Sequence, residues 1–140
     1  MVKNEFPIGQ ILTGVSIFEY QEFGGNELCL DQVKLFFDNQ VVTLLPIVDT
    51  DEIEIINETT TAVPMAATPS WCQSFLGKEL MTVWVCENNQ GYRDQVILAF
   101  EYLHPSLIFV AEGSVIKVFC TEQVDRVQAA QAKLKYSQVS

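Results

Sequence analysis

The run Val48-Asp49-Thr50-Asp51-Glu52-Ile53-Glu54 sets Asp49, Asp51, Glu52 and Glu54 almost side by side. Carboxylate oxygens are hard donors, and Asp49-x-Asp51 is a spacing at which two of them reach one divalent cation. An EF-hand type of loop also needs a glycine at its sharp turn, further oxygen ligands and a terminal Glu, and the run lacks that set. What remains is a solvated turn running into a strand whose negative charge resists pairing with other chains. Asp49, Asp51, Glu52 and Glu54 are therefore candidate partner-binding residues, and no metal is expected there.

A second polar concentration is Glu87-Asn88-Asn89-Gln90-Gly91-Tyr92-Arg93-Asp94. Amides, a tyrosine and charges of both signs in one loop are what partner- and ligand-binding loops offer. Asn-Gln-Gly is equally what a tight reversal between two strands requires. With Trp84 before the loop and Phe100 after it, the candidate ligand-binding set is Trp84, Asn89, Tyr92, Asp94 and Phe100. A tryptophan in this position, like Trp71, is more often a core residue than a ligand platform.

Nothing in the sequence marks catalysis. The single histidine, His104, precedes Pro105 in a turn, with no Ser or Cys motif to supply a nucleophile. GxGxxG, GxxxxGK[ST], HExxH and GxSxG are absent. Cys29, Cys72, Cys86 and Cys120 are widely spaced, form no C-x-x-C pair, and have no histidine near enough to complete a zinc set. They are expected to be reduced, small core residues. No catalytic residue, metal or cofactor is assigned.

The charge is uneven. Residues 1–70 carry only Lys3 and Lys34 against eleven acids, whereas residues 71–140 carry six basic and seven acidic residues, so nine of the ten net negative charges belong to the first half. Such a balance argues against nucleic acid and anionic membrane, both of which reward Lys and Arg, and leaves a basic protein as the fitting partner. The N-terminus has no apolar run long enough for a signal peptide, and Val41–Val48 is far short of the roughly 20 residues that span a bilayer. A cytoplasmic protein is expected.

The elements that must position these residues are mostly strands. Alternating apolar and polar residues mark 14–23, 29–37, 41–48, 52–56, 80–87, 94–102, 107–112 and 114–121, separated by turn residues such as Gly24-Gly25, Asp38-Asn39 and Gly113. The chain repeats itself: Asp31-Gln32-Val33-x-Leu35-x-Phe37 returns as Asp94-Gln95-Val96-x-Leu98-x-Phe100. Repeated spacing of Val, Leu and Phe on one face is a repeated packing role. The opposite face differs, Ile97 replacing Lys34, which predicts that the second copy is buried on both faces and the first on one.

Residues 57–79 read as a connection between the halves, with Ser70 as the cap of a short helix presenting Trp71, Phe75 and Leu76. Thr121 caps a C-terminal helix over about 122–135, with Val124, Val127 and Leu134 on one side. The expected fold is thus a single α+β, mostly β domain over 1–140. Two related antiparallel meanders, about 10–56 and 80–121, form one sheet or barrel-like core, the second meander at its centre and the C-terminal helix covering it.

The series Trp71, Gly77-Lys78-x-Leu80, Trp84 and Asn89-Gln90-Gly91-Tyr92-x-Asp94 resembles the marker pattern of a family of small, uncharacterised, β-rich bacterial proteins. The resemblance implies a compact bacterial, cytosolic domain and supplies no activity. The sequence therefore points to a non-enzymatic acidic interaction module that binds a basic protein, in the manner of immunity or regulator proteins. A small-molecule-binding domain with a pocket between the meanders is the alternative. The apolar composition and open sheet edges also point to a homodimer.

Overall fold

The computed structural model describes residues 6–19, 29–60, 68–101, 103–121 and 136–138. Nine strands run through them: β1 (Leu12–Glu19), β2 (Cys29–Phe37), β3 (Gln40–Ile47), β4 (Glu52–Thr59), β5 (Thr82–Glu87), β6 (Arg93–Glu101), β7 (His104–Glu112), β8 (Val115–Thr121) and β9 (Tyr136–Gln138). They form one antiparallel sheet in the order β4-β3-β2-β8-β7-β6-β5, with β1 added to β2 and β9 to β8. Tight turns explain the neighbours. Between β7 and β8, Gly113 and Ser114 both take positive φ, 64° and 68°, the two-residue reversal whose twist matches the flanking strands.

Strand β2 is the hub. Along one edge it pairs with β1 from Leu30 to Phe37, while its other edge is shared by β3, at Val33–Phe36, and β8, at Cys29–Leu30. Such sharing curls the sheet, so that β4 approaches β6 and β7. Four backbone bonds draw the far ends together: Gly9 N–H to Leu80 O, Leu80 N–H to Gln10 O, Leu12 N–H to Lys78 O and Gly77 N–H to Leu12 O, each 2.9–3.0 Å. The enclosed face holds the core. Cross-strand rows such as Val85, Val96, Phe109 and Val118, or Val33, Leu44 and Ile55, run across it. Full burial of each Val, Leu or Phe contributes about 1.5–3 kcal/mol.

Val33, Leu35 and Phe37 and their counterparts Val96, Leu98 and Phe100 all lie in that one core. The expected difference between the two copies on the other face is not found. Lys34 and Ile97 are both half-buried, and Phe36 and Ala99 are both buried. The second meander is central only in part: its β8 stands at the middle of the sheet order beside β2, whereas β6 and β5 run out to one end.

The expected middle helix is also corrected. Ser70–Phe75 is a single 3-10 stretch rather than an α-helix, and Pro69, not Ser70, occupies the cap position, with no side-chain cap bond. Its bonds run three residues back, Cys72 N–H to Pro69 O at 3.1 Å and Leu76 N–H to Gln73 O at 3.2 Å. Six residues cannot repay α-helix nucleation, and Leu76 returns to extended backbone before Gly77 turns at φ 82°. Residues 122–135, where the C-terminal helix was expected, lie outside the described residues. Among the described residues there is no α-helix, and Tyr136–Gln138 is a strand against β8. β4 also runs on to Thr59, past the expected end at residue 56, because Asn57, Glu58 and Thr59 continue its pairing with β3.

Candidate functional site

The acidic run is split between a turn and a strand. Asp49 and Asp51 sit in the β3–β4 turn with left-handed φ of 82° and 54°, a region that Asp tolerates better than most residues. Asp51 acts structurally, because its Oδ1 accepts the Gly113 N–H at 3.1 Å and ties this turn to the β7–β8 turn. Glu52 and Glu54 then alternate with Ile53 and Ile55 along β4, so both project from the face opposite the core, and Glu58 shares that face. Directly across on β3 stand Ile47, Leu45 and Val41, none of which offers a positive charge. No described residue forms a salt bridge with Glu52, Glu54 or Glu58. The structure thus brings Glu52, Glu54 and, unforeseen, Glu58 along one edge strand, with Asp49 in the turn that leads into it.

The expected ligand set is not brought together. Phe100 is buried and stacks on Phe75, ring centroids 5.3 Å apart. Trp84 pairs across β5 and β6 with Ile97, and residues 97 and 100 point to opposite faces of β6. Trp84 instead heads an outer row with Ile97, Ile108 and Phe119, of the aromatic and β-branched kind that steadies a sheet. Asn89 is exposed in the turn, and Tyr92 and Asp94 are half-buried at its far side.

The residue that organises this loop is one that sequence reasoning passed over. Asn88 Oδ1 accepts the N–H groups of Gln90, at 2.8 Å, and Tyr92, at 3.1 Å, while the Asn88 N–H donates to Tyr92 O at 2.9 Å. Gly91 supplies the φ of 84° that closes the reversal. The signal was an Asn two residues before the point of reversal, where its side chain mimics a backbone turn. Ser106 does similar work at the irregular join of β6 and β7, its hydroxyl accepting the buried Phe100 N–H at 3.1 Å.

All four cysteines are thiols, not disulfides. Cys72 is completely buried, and that burial, with the Cys120 thiol nearby, pushes its pKa up to about 12. Burial raises Cys120 as well. Both are held neutral at ordinary pH, the opposite of an activated nucleophile. Among the described residues no group of three His, Cys, Asp or Glu side chains is placed to hold a metal ion, and no helix among them is long and apolar enough to cross a membrane.

One concave feature stands away from all expected sites. Gln10, Asn39, Gln40, Asn57 and Thr59 line a cleft of about 510 Å3 at the open end of β3 and β4. Sequence reasoning missed it because its members lie far apart along the chain. Its local signal was the replacement of the inward-facing isoleucines of β4 by Asn57 and Thr59.

Residues 1–125 match the family model DUF6334, a family of unknown function. The chain belongs to that family. Membership in DUF6334 agrees with the resemblance to an uncharacterised family read from Trp71 to Asp94, and it carries no activity to this chain. No curated protein and no solved structure matches the chain.

Proposed function

We propose that this chain is a non-enzymatic interaction module that binds a basic protein along β4. The observation that supports the reading is the alternation of Glu52, Glu54 and Glu58 on the outer face of the strand that ends the sheet order. Residues two apart on a strand are about 7 Å apart. A basic strand or loop with Lys or Arg at every second position matches that spacing. Within the hairpin these carboxylates face only apolar side chains, so their mutual repulsion is relieved by a cationic partner rather than by the fold. A homodimer formed through β4 would set Glu52, Glu54 and Glu58 against their own copies, and this edge is therefore read as a surface for a different protein.

Complementary surface charge acts mainly on association rate and specificity, and screening by salt is its signature. The test is a titration with a labelled peptide of alternating Lys and Val at several salt concentrations. Binding that weakens steadily with salt, and that is lost in Glu52→Lys/Glu54→Lys but kept in Asp31→Lys/Asp38→Lys, supports the reading. Equal loss in both charge-reversed proteins assigns the attraction to net charge alone. Affinity that ignores salt, or that survives reversal at β4, removes the proposal.

A further inference from the structure

The inward face of the first meander changes character at one end. Val42 and Leu44 on β3 and Ile53 and Ile55 on β4 face the core, and at the same side of the same strands the next positions are Gln40, Asn57 and Thr59. Gln10, in the segment that leads into β1, reaches them from across the opening. Gln10 Nε2 donates to Gln40 Oε1 at 2.8 Å, and Gln40 Nε2 donates to Asn57 Oδ1 at 2.9 Å. The Asn39 backbone N–H donates to Gln10 Oε1 at 3.4 Å. Three primary amides are thereby fixed in a relay along the wall of the cleft.

Stability alone does not call for this arrangement. Continuing the apolar run would bury more area, whereas inward-facing amides must be satisfied one by one. Gln10 and Gln40 each use one of their two NH2 hydrogens in the relay, and both side chains line the cleft.

From this the geometry points to a binding site for a small, neutral, polyhydroxylated ligand, of the monosaccharide class, in the cleft lined by Gln10, Asn39, Gln40, Asn57 and Thr59. The cleft, about 510 Å3, is broad and open to solvent, so it has room for a small ligand resting on its polar wall rather than one enclosed by it. None of the five lining residues is charged, so neither an anion nor a cation finds a counter-charge there. None is aromatic, so a planar base has no surface on which to stack. A carboxamide offers a donor and an acceptor side by side, and a sugar hydroxyl asks for both. The site is independent of the acidic face of β4, since Asn57 and Thr59 point to the other side of the strand from Glu58.

The experiment is an NMR titration of the full chain, labelled with 15N, against glucose, galactose and myo-inositol, with glucuronate as a charged analogue. The side-chain NH2 signals of Gln10, Gln40 and Asn57 are followed together with the backbone amides. Saturable, millimolar shifts of these three groups with at least one neutral polyol are expected, weaker with glucuronate. Gln40→Leu should weaken binding at least tenfold while backbone signals distant from the cleft stay in place. Thr59→Val, at an exposed position of the lining, provides the same comparison if Gln40→Leu fails to fold. No saturable shift with any neutral polyol, tighter binding of glucuronate, or full binding by the folded variant overturns the proposal.

Discussion

Raising the pH should destabilise this protein through Cys72. The thiol is fully buried, its pKa is pushed from 9.0 to about 12 by burial and by the nearby Cys120, and in the unfolded chain it returns to the ordinary value. Below pH 9 the thiol is protonated in both states and its contribution to stability is complete. Above that, the unfolded chain releases the proton while the folded chain keeps it, so the unfolded state binds fewer protons and stability falls with rising pH, until the folded thiol ionises as well. Each pH unit in this window costs about 1.4 kcal/mol, or about 4 kcal/mol over the whole interval, a large part of the roughly 5–15 kcal/mol that holds a typical domain together. The assay is urea unfolding at a series of pH values from about 8 to 10.5, a range over which the Cys72 contribution is about 2 kcal/mol. Cys72→Ala is measured in parallel. Groups away from Cys72 are common to both proteins and cancel in the comparison, and the neighbouring Cys120 is replaced by Ala in both so that its coupling to Cys72 does not enter. The alanine variant should start less stable and lose stability less steeply with pH. Parallel slopes for the two proteins would refute the assignment of a buried, neutral thiol to Cys72.

Three further outcomes follow from the geometry and are read by the same unfolding measurement. Asn88→Ala should cost about 1–2 kcal/mol because two turn N–H groups lose their acceptor, whereas Asn89→Ala should change stability by less than about 0.5 kcal/mol. Asp51→Ala should cost about 1 kcal/mol by releasing the Gly113 N–H, and Asp51→Asn, which keeps an acceptor and tolerates left-handed backbone, should cost less. Phe100→Ala should cost about 3–5 kcal/mol, as expected for an aromatic removed from a closed core against Phe75.

Much of the fold was legible because strand periodicity is local. Val33, Leu35 and Phe37, or Val96, Leu98 and Phe100, announce their buried face from spacing alone, and Gly113 announces its turn. The Ser70–Phe75 segment was misread for the same local reason: a cap residue followed by aromatics suits a helix, but its length and the extended backbone at Leu76 hold it to one 3-10 stretch. The acidic strand was legible as far as Glu54, and Glu58 was missed because β4 was ended too early. The pairing of Trp84 with Phe100 in one site failed because it needs strand register, which places Trp84 opposite Ile97 and therefore on the other face.

The sequence by itself determined that this is a β-rich, acidic chain, which stretches are strands and which of their faces seek burial, since each follows from residue type and a period of two. Tertiary structure decided which strands became neighbours, that β2 would be shared by β1, β3 and β8, and that Gln10, Gln40 and Asn57 would meet. Those are contacts between distant segments, set by how a twisted sheet curls to close its core, and no local pattern encodes them.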